Sequence, residues 1–406
     1  MAENTEEQTI ILSAVGDICP GDVSIMGMGV LSKTKKYSAD YPIQKAGAFF
    51  AGSDIVLGNL EGLLTAKVKL NGTNNLKFCG LPEFADALAQ IGFTVLDLAN
   101  NHTLEHGPEI FLETVDLLKK TGIQICGLRS KSTSYYSEPV ILPVKGHRIG
   151  LLGYNWVGKD NFPDADQYIA QSHDSVVNYT WNRDSNIDKI HQAIAPERNK
   201  NVIKDIKTLK KEVDHVVLMA HWGYEFVHYP PYGVTLEARS FIDAGADLII
   251  GNHPHVLQGM EQFNGKWIFY SLGNFIFDIR SEITRKTAIL DYRINGNDKD
   301  TFDLLYMKIS KNFQPVSVSG VEKKCITAII KNSIRVIQAK NKALLLDDDS
   351  VYKQFEKQYN KGKFYNILNH FLALPRNPFV VRIIAIKVLN FLKLVILRVQ
   401  GKKIRW

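Results

Sequence analysis

The segment TIILSAVGDICPGD, residues 9–22, shows the pattern that decides the fold of this chain. Residues 9–15 form an apolar run of the length of a buried β-strand, and the run leads directly into the polar turn GDICPGD. The same succession of an apolar run and a polar turn recurs along the first 280 residues. It predicts a sheet whose strands carry functional side chains where they end.

Strands and helices are predicted to alternate along the chain. Further apolar runs predict strands at 55–57, 94–99, 149–154, 216–220, 248–250, 267–272, 288–294 and 303–309. Amphipathic segments predict helices at 82–91, 108–120, 203–212 and 236–244, with Pro108 at a first helical position and Gly122 as a stop. This alternation is typical of an α/β domain. Beyond about residue 320 the pattern becomes helical, at 321–339 and 350–372.

Length, charge and cysteine content limit the class of protein. A chain of 406 residues holds one large domain with an appendage, or two domains. Its net charge of +7 is uneven, because residues 376–406 contain eight Lys and Arg and no acidic residue. This argues against a general nucleic-acid-binding surface and for a localised anionic partner. Four widely separated cysteines exclude a disulfide framework, and no signal-like segment precedes residue 9, so we expect a cytoplasmic protein.

Polar side chains follow the predicted strands at GD 16–17, GNLEG 58–62, ANNH 99–102, HWG 221–223 and GNHPH 251–255, and SLGNF 271–275 adds a sixth turn. Ligands of open α/β sheets bind beyond the carboxyl ends of the strands, so we expect these turns to converge. Their carboxylate, amide and imidazole groups suit Mn²⁺, Fe, Zn²⁺ or Mg²⁺. Two ions could activate a water, and Glu61 is a candidate bridging carboxylate.

Each of these residues, taken alone, also has a structural interpretation. Asp17 could cap a turn or a helix, and Glu61 could be an ordinary loop carboxylate. Asn100 and Asn101 could occupy a left-handed turn, and His221 could be a hydrogen-bonded structural histidine at a strand end. The pair His253 and His255 is more specific, because Pro254 stiffens the tight loop that holds both imidazoles. The joint placement of all these residues at successive strand ends favours a metal site.

Six motifs carry a family resemblance: GDICPGD, GNLEG, LANNHTLEHG, AHWGYEF, GNHPHVLQG and YSLGNFIFD. In this order they resemble the CapA family of capsule and poly-γ-glutamate synthesis, which is similar to the calcineurin-like metallophosphoesterases. The resemblance covers roughly residues 10–280. It implies a metallophosphoesterase-like β-sandwich flanked by helices, with a C-terminal helical extension. The domains would be 8–320 for the sandwich, 321–375 for a helical region and 376–406 for a basic amphipathic tail.

The resemblance also implies roles for individual residues. Two divalent ions would be bound, one by Asp17, Glu61 and His255, and the other by Glu61, Asn101, His221 and His253. His102 would be the general acid that protonates a leaving group. Asn59, Asn100 and Asn274 would contact substrate or orient the ligands. The chain departs from the phosphoesterase pattern at Cys19, where a histidine is usual, and at Asn59 and Glu61, where aspartates are usual. Glu105 stands where the capsule family has aspartate.

The expected activity is that of a metal-dependent phosphoesterase-type hydrolase or transferase in the synthesis of a bacterial capsule or other surface polymer. Its partner would be an anionic or polymeric intermediate, and nucleic acid is not expected. Two alternatives remain open. The site could bind a polymer without hydrolysing it, as an assembly factor, or it could cleave an amide or acyl bond.

The tail adds an expectation about location. Placed on a helix, residues 379–399 separate a cationic arc from a wide apolar arc. Four interior cations make a spanning helix costly, at about 2.5–3.5 kcal/mol each near the bilayer centre, whereas a helix lying in the interface avoids that cost. We therefore expect a peripheral protein of the inner membrane, held at the anionic surface by residues 376–406. The alternative is a terminal helix packed on the domain.

Overall fold

The computed structural model describes residues 9–21, 29–67, 78–132, 134–157, 167–170, 199–278, 282–296 and 299–342, and the single positions 357, 360, 361 and 364. The predicted tail at 376–406 lies outside the described residues, as does most of the predicted helix at 350–372.

The described strands, in chain order, are β1 (Ile10–Ile18), β2 (Ile55–Leu60), β3 (Leu63–Leu64), β4 (Cys79–Gly80), β5 (Val95–Asp97), β6 (Gln124–Cys126), β7 (Val140–Val144), β8 (His147–Asn155), β9 (His215–His221), β10 (Leu248–Asn252), β11 (Met260–Phe263), β12 (Lys266–Phe269), β13 (Asn274–Ile276), β14 (Lys286–Ile294), β15 (Thr301–Ile309) and β16 (Pro315–Ser317). The described helices are α1 (Val30–Lys36), α2 (Phe84–Gln90), α3 (Pro108–Lys120), α4 (Lys200–Leu209), α5 (Tyr232–Ala244) and α6 (Gly320–Lys342), with a 3₁₀ turn at Gly47–Phe49.

Two large sheets form the centre of the molecule. The first has the strand order β16-β15-β14-β1-β2-β5-β6, with β13 also paired to β1, and the second has the order β11-β12-β10-β9-β8-β7. Strands β1, β2, β5 and β6 are mutually parallel, and so are β8, β9, β10 and β12. Antiparallel strands continue both sheets outward. The short pair β3–β4 stands apart.

Alternate residues of these strands enter different cores. Leu57 and Ile250, from one sheet each, meet in the core between the sheets. Their neighbour Val56 packs outward with α2 and α3, and Ile249 packs outward with α4 and α5. Each such fully buried aliphatic side chain contributes about 1.5–3 kcal/mol of transfer free energy. The molecule is therefore layered as helices, sheet, sheet and helices, and the predicted α/β sandwich flanked by helices is confirmed.

Most predicted elements are present, with shifted ends. Helix α3 begins at Pro108 as predicted, after Gly107 at φ +86°. Helix α5 begins four residues before the predicted position, because Pro231 precedes its first turn, and it ends at Gly245 with φ +118°. The predicted strand at 267–272 ends at Phe269. Part of the predicted turn SLGNF is instead the short strand β13, which pairs with β1.

Helix α6 packs against the sandwich. Ile326 and Ile330 join the core between the sheets, Ile337 joins the outer core beside α5, and the Gly259 N–H donates to Ser333 Oγ at 2.7 Å. The division of the chain at residues 320 and 375 stays a prediction. None of the helices in the described ranges combines the length and the apolar character that crossing a bilayer requires.

Candidate metal centre

The inward-facing positions of several strands change from apolar to polar at their carboxyl ends. In four strands the last apolar side chain on this face belongs to the core between the sheets, and the side chain two positions later is polar and buried. The four pairs are Leu57 and Asn59, Val95 and Asp97, Met219 and His221, and Ile250 and Asn252. Residues two apart on a strand share a face. With their registered neighbours they form what we call the polar cap: Asp17, Asn59, Asp97, Asn155, His221 and Asn252.

Glu61 lies at the centre of this end of the sandwich. It follows β2 directly, and its N–H donates to the carbonyl of Ile18 at 2.9 Å. Its side chain is fully buried, and within the described part of the chain neither carboxylate oxygen accepts a hydrogen bond. The Nε2 atoms of His102 and His255 each lie 3.7 Å from Oε1, and that of His221 lies 3.9 Å from it. A buried carboxylate is costly without compensation, so this arrangement fits one that binds a cation.

Asp17 is brought beside Glu61 by a close backbone approach. Its N–H donates to the Gly273 carbonyl at 3.0 Å, and a Cβ on Gly16 would lie 1.7 Å from that same oxygen. The first strand can therefore make this contact because residue 16 has no side chain. Asp17 Oδ1 accepts from Asn59 Nδ2 at 2.7 Å, and Oδ2 accepts from the His253 N–H at 3.2 Å.

The orientation of His255 is set by two oxygen atoms. Its Nδ1 lies 2.9 Å from Asn274 Oδ1 and 3.3 Å from Asp17 Oδ2. Asn274 also donates from Nδ2 to the His255 carbonyl at 3.3 Å. A proton on Nδ1 satisfies these oxygens, and Nε2, which lies 3.7 Å from Glu61 Oε1, is then the atom that would bind a metal ion.

His221 joins the second sheet to the first. Its Nε2 lies 2.7 Å from Asn101 Oδ1, and its Nδ1 lies 3.3 Å from Asn59 Nδ2. Asn100 holds Asn59 in place, because its Nδ2 donates to Asn59 Oδ1 at 3.1 Å and to the Leu60 carbonyl at 2.9 Å. Asn59 and Asn100 thus hold His221 and Asp17 in place, and Asn101 is hydrogen-bonded to His221 at the same end of the sandwich.

The turn that carries His253 and His255 is strained. These two residues have φ values of +94° and +56° on either side of Pro254. Non-glycine residues in this region cost about 1–3 kcal/mol each and are found at functional sites. The strain turns both rings inward, and the His253 ring centroid lies 4.8 Å from that of His221.

The structure brings together the six predicted metal ligands. Ligand atoms of Glu61, His253 and His255 lie within 4.8 Å of one another, and so do those of Asp17, Glu61 and His221. Glu61 is common to both groups, and Asn101 adjoins the second through His221. The allotment of ligands between two ions stays a prediction. The donor set of carboxylate, imidazole and carboxamide fits Mn²⁺, Fe, Zn²⁺ or Mg²⁺, and no thiolate takes part.

His102 is held beside this cluster by a neighbour on its own turn. Its Nδ1 lies 2.7 Å from Glu105 Oε1, and the other oxygen of Glu105 accepts from the Phe78 N–H at 3.2 Å. The Phe78 ring lies 4.0 Å from the imidazole, centroid to centroid. The carboxylate and the aromatic ring fix the imidazole with Nε2 directed at Glu61.

Burial and charge perturb the titration of these groups. Burial raises the pKa of the Glu61 carboxyl well above its usual range, with His255 opposing the shift and Asp17 adding to it. Burial also lowers the pKa of His221, and His253 and His255 lower it further. For His255 burial acts downward, but the carboxylates of Glu61 and Asp17 outweigh it and raise the pKa to about 10. The lowered pKa keeps His221 a neutral imidazole, the form that binds a metal ion. At His255 a metal ion would take the place of the proton that the raised pKa keeps on Nε2.

Cys19 occupies the position where a phosphoesterase has a histidine. It is fully buried in a small cluster with Phe78, Phe226 and Phe277, and burial raises the pKa of its thiol well above the usual value. A neutral thiol among aromatic rings is a packing residue.

Three buried residues of the polar cap were absent from the sequence-based site: Asp97, Asn155 and Asn252. The signal was available, because each lies an even number of positions after an apolar residue that faces the other sheet. Asn155 Nδ2 donates to the Val157 carbonyl, and Asn155 Oδ1 accepts from the Val157 N–H. Asp97 accepts from the Ala99 N–H at 3.0 Å, at the start of the turn that carries Asn101 and His102.

The fold and the site define an α/β sandwich protein with a candidate divalent-metal centre at the carboxyl ends of its parallel strands. The chain belongs to the family of bacterial capsule synthesis proteins called PGA_cap, whose model matches residues 11–279. The resemblance drawn from the six motifs is thereby confirmed.

Two CapA proteins of Bacillus species are similar to this chain over most of its length. It is 26% identical to the capsule biosynthesis protein CapA of Bacillus anthracis, over 90% of this chain and 77% of that protein. It is 30% identical to the PGA biosynthesis protein CapA of Bacillus subtilis (strain 168), over 79% of this chain and 77% of that protein.

Solved structures show more distant likeness. A putative 5'-nucleotidase from Staphylococcus aureus matches with a TM-score of 0.40 and 13% identity, over 80% of this chain and 58% of that one. The NAD nucleotidase NadN of Haemophilus influenzae matches with a TM-score of 0.34 and 14% identity, over 80% and 63%. At these scores the likeness supports no conclusion about activity.

Proposed function

We propose that this chain is a divalent-metal-dependent hydrolase or transferase of the phosphoesterase type that acts in the synthesis of a bacterial capsule or of poly-γ-glutamate. The observation that carries the proposal is the environment of Glu61, a fully buried carboxylate without hydrogen bonds from the described residues, faced by three imidazoles within 3.9 Å. Such a group is stable in a protein when cations share it.

Asp17, Glu61, His255, Asn101, His221 and His253 would hold the ions. Bound there, two divalent ions would supply an activated water and neutralise charge on a phosphoryl oxygen. The protein fixes the ligand geometry beforehand, because Asn274 orients His255 and Asn59 orients both Asp17 and His221. This support lowers the entropy cost of binding the ions and keeps the centre rigid.

His102 would hold and deliver the proton. The Glu105 carboxylate accepts from its Nδ1 at 2.7 Å, which fixes the ring with Nε2 directed at Glu61. The Nε2–H of that imidazole, directed at the centre of the site, is then the proton given to a leaving oxygen. The Phe78 ring covers the imidazole and limits access of water to it.

The activity is tested with purified protein in Mn²⁺ on bis(p-nitrophenyl) phosphate, beside a p-nitrophenyl ester and a peptide substrate. Release of nitrophenol from the phosphodiester, absent in a Glu61→Gln variant, supports the proposal. Cleavage of the ester or the peptide alone would reassign the site to acyl or amide chemistry. If metal-loaded protein cleaves none of them, the proposed hydrolase activity fails and the alternative of a polymer-binding assembly factor is favoured.

The biological substrate would be an anionic or polymeric intermediate of the surface polymer. Relatives named for capsule and for PGA biosynthesis support this choice. We propose that the protein works at the cytoplasmic face of the membrane, where its basic segment 376–406 would contact anionic lipid.

A further inference from the structure

Asn252 is the last residue of β10, and its side chain faces the candidate metal centre. Leu248 and Ile250 of the same strand enter the core between the sheets, so residue 252 continues that face. Its Cα is in register with His221 on the neighbouring strand, and registered residues of parallel strands point the same way. The next residue along the chain is His253, another predicted ligand.

The amide of Asn252 is fully buried, and neither its Oδ1 nor its Nδ2 has a hydrogen-bond partner among the described residues. Buried side-chain amides are normally bonded, and one without partners in a folded protein calls for an explanation. Other asparagines at this end of the sandwich have partners, namely Asn59, Asn100, Asn155 and Asn274.

The contrast with Asn155 is the sharpest. Asn155 and Asn252 stand in register with His221 on its two neighbouring strands, β8 and β10. The amide of Asn155 closes a turn with the Val157 N–H and carbonyl, each at 2.9 Å. The structural use that explains Asn155 is therefore missing at Asn252.

We propose that Asn252 is an additional oxygen ligand of the divalent-metal centre, through its side-chain carbonyl. A carboxamide oxygen is a ligand that Mn²⁺ and Mg²⁺ accept, and Asn101 offers the same group from the other sheet. An ion would take up the buried oxygen, and Nδ2 would remain a donor facing the same site. The inference rests on the metal-binding part of the proposed function and not on the reaction catalysed.

The experiment compares wild type with Asn252→Ala and the matched control Asn155→Ala in the full chain. Mn²⁺ affinity is measured by calorimetry, and thermal unfolding is followed in EDTA and in Mn²⁺. We expect Asn252→Ala to weaken Mn²⁺ binding by roughly 10–100-fold and to lower the melting temperature in EDTA less than the control does, because no hydrogen bond to the described residues is lost. Asn155→Ala should lower the melting temperature in EDTA, because both hydrogen bonds to Val157 are lost, and should weaken Mn²⁺ binding less than Asn252→Ala does.

A second variant keeps the test decisive if the alanine variant folds poorly. Asn252→Asp preserves shape and offers an anionic oxygen, so Mn²⁺ should bind at least as tightly as in wild type. Weaker binding by Asn252→Asp or unchanged affinity in Asn252→Ala would each overturn the proposal. If wild type itself binds no Mn²⁺, the metal centre of the proposed function fails, and the inference about Asn252 fails with it. Binding without phosphodiester turnover leaves the inference standing while the proposed activity fails.

Discussion

The Nε2 atom of His221 lies 2.7 Å from Oδ1 of Asn101, and this contact joins the two sheets at the carboxyl ends of their parallel strands. One partner ends β9 of the second sheet, and the other lies in the turn after β5 of the first. The distance is that of a hydrogen bond, and the two side chains that it joins are predicted ligands of the same ion. The centre thus depends on both halves of the sandwich at once.

Removing either partner should weaken metal binding. We expect His221→Ala and Asn101→Ala each to lower Mn²⁺ affinity at least about tenfold, because each removes one ligand atom. The double variant should lose less than the sum of the two free-energy changes, since both act on one ion. Calorimetry with Mn²⁺ measures all three, with His147→Ala, at the opposite end of β8, as the control. Full additivity would place the two residues at independent sites.

His102 should affect chemistry without affecting metal content. If it donates the proton to the leaving group, His102→Ala lowers phosphodiester turnover by roughly 10²–10⁴-fold. Bound metal, measured by mass spectrometry of the purified protein, should stay near the wild-type amount, because His102 is not among the predicted ligands. Loss of metal in this variant would move His102 into the ligand set and cancel its assignment as the acid.

Asp247 should stabilise the fold in a pH-dependent way. Its carboxylate accepts from Lys210 at 2.7 Å and lies 2.8 Å from Lys266 Nζ, and it also accepts from the Val216 N–H. Burial acts to raise its pKa, but these hydrogen bonds outweigh burial and lower it. A lowered pKa gives stability that is present above the pKa of unfolded aspartate, about 3.9, and is lost as the pH falls through the folded value.

We therefore expect Asp247→Asn to lower the free energy of unfolding by about 1–3 kcal/mol at pH 7 and by less at about pH 3, below the pKa of unfolded aspartate. Urea unfolding at the two pH values measures the difference. Asp303→Asn removes an exposed ion pair with Arg293 and should change stability by less than about 1 kcal/mol. Equal losses for Asp247→Asn at both pH values would show that the charge of Asp247 contributes nothing.

The basic segment should place the protein at anionic membranes. Each cation near such a surface is worth about 1 kcal/mol, and residues 376–406 carry eight of them. The full chain should co-sediment with anionic vesicles, less so at high salt, and a chain ending at Leu374 should stay in the supernatant. Equal partitioning of the two chains would refute anchoring by this segment.

The sequence by itself determined the class of fold, the family and the six side chains that we predict to bind metal. An apolar run followed by a polar turn is a local pattern, because residues that are neighbours in the sequence form it. Asp17, Glu61 and His221 could therefore be identified without coordinates. Only the tertiary structure decided how they meet. The proximity of His221 to Asn101 arises from two sheets packed face to face, and so does the position of the Glu61 and Asn252 side chains, which have no hydrogen-bond partner among the described residues. Residues of different sheets are separated by many positions in sequence, and their distance is fixed by register and packing, which no local pattern contains.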